Sequence, residues 1–184
     1  MPVTYLNKYK IVIFTLFLWV AYGNVSAQAY RDQVKAMNER HILCDTVPQL
    51  ADSVFSALKL PKFDSLEVFT PSYPQIKATY DTMNLHQNDQ FVLIKQQYLV
   101  HNLHKQFKEL QIQAKRHKIN LKYMELTDKT IQYGVHRDGH PFAQVVLKCT
   151  RNNKKFEIKF IAIKVLDHWY IGDELKLIPV VRVK

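Results

Sequence analysis

In the C-terminal third of the chain, apolar and polar residues exchange places with the short period of strands. Residues 121–126 and 129–135 predict strands that lead into Arg137-Asp138-Gly139-His140, and Asp-Gly between apolar runs is a hairpin signal because it accepts positive φ. Residues 142–150 alternate: Ala143, Val145, Leu147 and Cys149 share one face, with Gln144, Lys148 and Thr150 mainly on the other. Arg151-Asn152-Asn153-Lys154 predicts a turn, since Asn tolerates left-handed geometry. The run 156–166 is the most apolar, and a turn at Asp167-His168 delivers a last strand over 169–178. The expectation is an antiparallel meander of about four strands whose apolar face must be covered from upstream.

Upstream the period lengthens to that of helices. Asp45-Thr46 can cap a helix with Pro48 in its first turn and Leu50, Ala51, Val54, Phe55 and Leu58 on one face, ended by Pro61. Residues 64–69 predict a short helical turn closed by Thr70-Pro71, and Ser72 or Pro74 opens another helix through Ile76, Tyr80 and Met83. Asn88 or Asp89 caps the longest helix, over 90–118, in which Leu99, Leu103, Phe107, Leu110 and Ala114 form one stripe. That stripe is the expected lid, so the fold class is α+β: N-terminal helices, one of them long, packed on a C-terminal antiparallel sheet. The segment is too short in heptads for a coiled coil.

Residues 1–27 have the three parts of a cleavable signal peptide: Lys8 and Lys10, an apolar run over 11–23, and Val25-Ser26-Ala27 before the cut, with a second cut site before Tyr30. The apolar run is shorter than a membrane span needs. The expectation is therefore a periplasmic or secreted protein, with a weakly periodic segment at 28–45 and a single domain over 46–184. Losing Lys8 and Lys10 lowers the formal charge of +10 by only two, so the exported chain stays basic. Export turns that charge away from nucleic acid and toward anionic lipid, wall polymer, glycan or an acidic partner. Lys105, Lys108, Lys115, Arg116 and Lys118 are the candidate contacts for an anionic surface, weighed against charges that only solvate the protein.

Cys44 and Cys149 are the two cysteines, and an oxidising compartment permits their pairing. A bond between them would close a loop of roughly a hundred residues, on the order of 4–5 kcal/mol in the chain-entropy model. Two separately buried thiols are the alternative.

The order of helices, long helix and meander, together with Asp167-His168-Trp169-Tyr170-Ile171-Gly172-Asp173, resembles the nuclear-transport-factor-2-like or cystatin-like α+β roll. It looks most like the small exported bacterial members of unknown function. The resemblance covers about 46–178. It implies a strand-turn-strand staple with Trp169 in the core, and a pocket at the open end of the cone between sheet and helices. Tyr98, Tyr123, Tyr133 and Trp169 are the candidates for lining that pocket, weighed against plain core packing.

Chemistry is sparse. His101 and His104 fall off the apolar stripe, so they are expected in solvent, and no carboxylate accompanies them at ligand spacing; no metal or other cofactor is expected. There is no nucleophile elbow or Gly-rich phosphate loop, and Asp167 and His168, as strand neighbours, point to opposite faces. The leading reading is an exported, non-enzymatic binding or scaffold domain for an envelope protein, a glycan or a small apolar ligand. The others are a pocket enzyme of the ketosteroid-isomerase or polyketide-cyclase kind, and a basic module for an anionic envelope polymer.

Overall fold

Thr46 starts the first helix of the computed structural model, which describes residues 41–82, 87–137 and 139–180. The expected leader (1–27), the weak helical pattern at 28–40 and Asp138 of the hairpin lie outside those residues. Helix α1 (Val47–Leu58) is capped by the Thr46 hydroxyl, which accepts the Gln49 N–H at 3.3 Å, while the Gln49 side chain accepts the Asp45 N–H at 3.0 Å. The turn α2 (Asp64–Glu67) and helix α3 (Tyr73–Thr82) follow. Asn88 caps α4 (Asp89–Arg116) through a 2.7 Å bond from the Phe91 N–H, and at 1.5 Å per residue that helix is about 42 Å long.

The sheet is a meander in the order β1-β2-β3-β4, formed by β1 (Glu125–Val135), β2 (Pro141–Arg151), β3 (Lys154–Val165) and β4 (His168–Pro179), all antiparallel. Two turns are as expected: Asn152 and Asn153 at φ 49° and 59° join β2 to β3, and Gly139 at φ 86° stands in the first hairpin. Two details differ. Of the strand expected at 121–126 only Glu125 and Leu126 are extended, as the start of β1; Leu121–Tyr123 form a 3-10 turn, because the Asn120 side chain takes the Lys122 N–H at 3.1 Å and winds the backbone before β1 can start. The last turn falls on Leu166-Asp167 with Leu166 at φ 54°, so His168 already belongs to β4, opposite Val165.

The apolar face of the sheet (Val145, Leu147, Phe156, Ile158, Phe160, Ile171, Leu175) is fully covered. Leu103, Phe107, Leu110 and Ala114 of α4 supply part of the cover, as the stripe required, but α4 lies chiefly along β4. Helix α1 meets β1, β2 and β4, with Val47, Leu50, Ala51 and Val54 wholly buried, so two helices share the lid.

At the outer side of β4 the chain ahead of α1 joins the fold. Trp169 N–H donates to Cys44 O at 2.7 Å, Ile171 N–H to Phe69 O at 2.8 Å, and Ile42 N–H to Val68 O at 2.7 Å. The body thus takes in residues 41–45, ahead of the expected start at 46. A bulge in β4, with Glu174 at φ 60°, lets Asp173 turn toward α4. Its Oδ1 accepts from Asn102 Nδ2 (2.9 Å), Gln106 Nε2 and the Glu174 N–H (2.6 Å), and Gln106 Oε1 takes the Leu175 N–H at 2.8 Å. The knot ties the middle of α4 to the sheet edge.

Beyond that knot α4 reaches the other face. Tyr170 pairs with Ile163, one step out of phase with the core pair Ala162–Ile171, so its ring points away from α1. It is nevertheless completely buried, as is Val92, and neither belongs to the main core. Helix α3 and the first half of α4 are held together here by Lys77, whose Nζ lies 3.7 Å from Asp81, 3.2 Å from Asp89 and 2.9 Å from Gln87 O.

Candidate functional site

Two concavities stand at opposite ends of α4. The first is a slot of about 270 Å³ on the Tyr170 side, walled by Pro71, Ile76 and Tyr80, Leu99 of α4, and Ile163 and Val165 at the end of β3. Its polar groups are Thr79, Lys95, Lys164, His136 and His140, and no carboxylate lines it among the described residues. The β1–β2 hairpin brings in both histidines: the His136 N–H donates to His140 O at 2.8 Å, and the His136 ring packs against Phe142 at 4.5 Å. Phe142 can lie there because its cross-strand partner is Gly134, whose absent Cβ would fall 2.6 Å from the Phe142 ring.

The second is a groove of about 690 Å³ where the ends of α1 and α4 meet the turn before β1. Leu58, Ala114, Ile119 and Leu121 form its floor, and Lys59, Lys115, Lys118, Lys122 and the half-exposed Leu60 its rim, again without a carboxylate among the described residues. Helix α4 ends there in a Schellman motif: Ile119 N–H donates to Ala114 O at 2.8 Å and Lys118 N–H to Lys115 O at 3.0 Å. Lys118 occupies the left-handed position of that motif, at φ 54°, where glycine is usual.

No protein-family model, curated protein or solved structure matches the chain.

The residues singled out in the sequence are dispersed. Tyr98 (67% exposed) stands on α4, Tyr123 (50%) in the 3-10 turn and Tyr133 (64%) on β1, and none of them lines the slot or the groove. Tyr133 meets Trp169 edge to face at 5.8 Å, the one pair of the four brought together. Trp169 is half-buried and packs against the main core from its margin, while the fully buried ring of the pair is Tyr170, on the face that α3 and α4 cover. The basic candidates divide. Lys115 and Lys118 line the groove, whereas Lys105, Lys108 and Arg116 are exposed outside it. Lys59 and Lys122 were missed, because only the fold brings three separate stretches to one rim.

Cys44 and Cys149 are both buried free thiols. Cys149 Sγ lies 3.6 Å from Leu147 O on its own strand, and Cys44 is held at the far edge of β4, so neither is bonded to the other. Burial pushes the Cys149 thiol up to about 12 and raises that of Cys44, which leaves both as weak nucleophiles. His104 departs from its expected place in solvent: it is half-buried and its ring stacks on Phe63 at 4.5 Å. His168 Nδ1 lies 2.9 Å from Asp45 Oδ1, linking the last turn to the segment before α1 rather than to Asp167. Among the described residues, no three His, Cys, Asp or Glu side chains converge as metal ligands would, and no helix is long and apolar enough to cross a membrane.

Proposed function

We propose that this chain is an exported, non-enzymatic binding domain, and that its ligand is a small apolar molecule with an acidic group, held in the slot between α3, α4 and the end of β3. The leader-like start supports export. The chemistry of the slot carries the rest. Ile76, Tyr80, Leu99, Ile163 and Val165 offer an apolar body, while Lys95, Lys164 and two imidazoles converge on it, so an anionic head finds cations and an apolar tail finds side chains. The slot lies on the Tyr170 side of the sheet, away from the cone over the core face in which the resemblance to the nuclear-transport-factor-2-like roll would have a ligand, so the reading rests on the slot's own lining.

The test is binding of a medium-chain fatty acid such as decanoate, followed by native mass spectrometry and by the shift in melting temperature. Decanoate should raise the melting temperature of the protein and not that of a Leu99→Trp variant, whose larger side chain fills the slot. Decanol, with the same tail and no charge, should bind much more weakly. Equal shifts in protein and variant would remove the slot from the account.

A further inference from the structure

We propose that the groove end of the molecule docks on an anionic phospholipid surface, with lipid phosphates held by Lys59, Lys115, Lys118 and Lys122 and with Leu60 and Tyr123 entering the boundary between headgroups and acyl chains. This site is separate from the slot. Lys95 and Lys115 are about 30 Å apart along α4 at 1.5 Å per residue.

The first argument is that these four ammoniums have no carboxylate to neutralise them, Lys59 and Lys122 being set only over the rings of Phe55 (4.4 Å) and Tyr123. Among the described residues none of them is in an ion pair, while Lys77, Lys129, Lys148, Lys159 and Lys176 all have carboxylates. A cation at a helix C-terminus often serves its unpaired carbonyls, but here several of those carbonyls have other donors. Ala114 O and Lys115 O are taken by the Schellman bonds and His117 O by Lys154 Nζ at 2.7 Å; at the end of α1, Ala57 O receives the Leu60 N–H at 3.0 Å. The rim is positive charge with no carboxylate partner among the described residues, around a floor that is apolar.

The second argument is backbone geometry. A side-chain-bearing residue in the left-handed region is strained, and Gly at the position of Lys118 would end α4 without that penalty. Strain of this kind points to a use for the side chain it keeps. A lysine there reaches over the groove from the tip of the helix.

The third argument separates a lipid surface from a soluble polyanion. Leu60 is 52% exposed, and Tyr123 stands beside the same lysines with Lys122 Nζ 5.3 Å and the Arg151 guanidinium 5.0 Å from its ring. Exposed leucine and tyrosine amid lysines match the composition of interfacial anchors, whereas a charged polymer gives a leucine nothing to enter.

The experiment is co-sedimentation of the purified protein with phosphatidylcholine vesicles, with and without phosphatidylglycerol, at low and high salt. Binding is expected only with phosphatidylglycerol, and salt should weaken it. Each lysine near such a surface is worth about fivefold, so Lys115→Ala with Lys122→Ala should lose about 25-fold. Lys105→Ala with Lys108→Ala, on the same helix outside the groove, should lose far less. Leu60→Asp should abolish binding while leaving the fold intact. Lys118→Gly should give two effects of opposite sense: a melting temperature higher by about 2–4 °C and vesicle binding weaker by about fivefold. Equal binding to uncharged vesicles, an unaffected Leu60→Asp variant, equal losses from the two lysine pairs, or soluble polyphosphate binding that also needs Leu60 would each overturn the proposal.

Discussion

Replacing Tyr170 by Phe should stabilise the protein, although it deletes a polar group from a fully buried side chain. Among the described residues the Tyr170 hydroxyl has no hydrogen-bond partner, and it has no exposure to solvent. Leaving such a group unsatisfied costs about 1–3 kcal/mol, whereas a bonded hydroxyl of the same kind contributes about 0.5–1.5 kcal/mol. The void left by one oxygen is smaller than a methyl group and costs less than about 1 kcal/mol. The balance is a gain of about 1 kcal/mol, or about 2–4 °C in melting temperature for a chain of this size. Urea unfolding reads it as a higher midpoint at unchanged slope. Alkaline pH adds a second signature. Burial, with a smaller contribution from the nearby Cys44 thiol, pushes the Tyr170 phenol up to about 12. A phenol in the unfolded chain ionises near 10, so between about 10 and about 12 the unfolded state releases a proton that the folded state keeps. Stability therefore falls with rising pH in that window. The phenyl ring of the variant cannot ionise, so its advantage should widen there, with Cys149 still contributing a slope to both proteins. A lower urea midpoint for Tyr170→Phe would refute the reasoning, because it would mean that the hydroxyl is satisfied in solution.

Leu166 at φ 54° should likewise yield to glycine: Leu166→Gly is expected to gain about 1 kcal/mol, read by the same urea titration. Asp173→Ala removes the acceptor shared by Asn102, Gln106 and the Glu174 N–H, and should cost about 1–3 kcal/mol, with faster amide hydrogen exchange at Glu174 and Leu175. Ellman's reagent should find no reactive thiol in the native protein at neutral pH and two in guanidinium; none in guanidinium would mean a disulfide. The Asp89 carboxyl is held below its usual range by hydrogen bonds from Tyr73 and Lys77 and by the Lys77 charge. It therefore contributes stability above the ordinary carboxylate range that is lost as pH falls through its lowered value, and Asp89→Asn should flatten the acid limb of a melting-temperature profile.

What could be read in advance was whatever one side chain decides locally. Thr46 and Asn88 announce helix starts because a short oxygen-bearing side chain can reach the second or third N–H, and Asn152-Asn153 announces a turn because few other residues tolerate that backbone. The apolar stripe of α4 was legible for the same reason, its period. Residues 121–123 were not, because alternation over so few residues suits a 3-10 turn as well as a strand, and the Asn120 bond decides between them. Nor could the sequence say which of Trp169 and Tyr170 is buried: the two must face opposite ways, and the choice depends on α3 reaching the second face. The slot draws on α3, α4, β3 and a hairpin, and the groove on two helix ends and a turn, so neither has a contiguous signature. Lys118 was picked out for its charge alone, since nothing about a lysine announces a left-handed backbone.

The bond between Cys44 and Trp169 joins residues that leave the ribosome far apart in time. Helix α1 is synthesised before any of the strands it lies against, and β4, which both α1 and α4 need, comes last. A polypeptide cut short within β4 leaves the helices without their surface and an apolar β3 without its neighbour. Such a fragment should be a ready substrate for proteases and chaperones, and the completed chain should acquire its protection late and all at once.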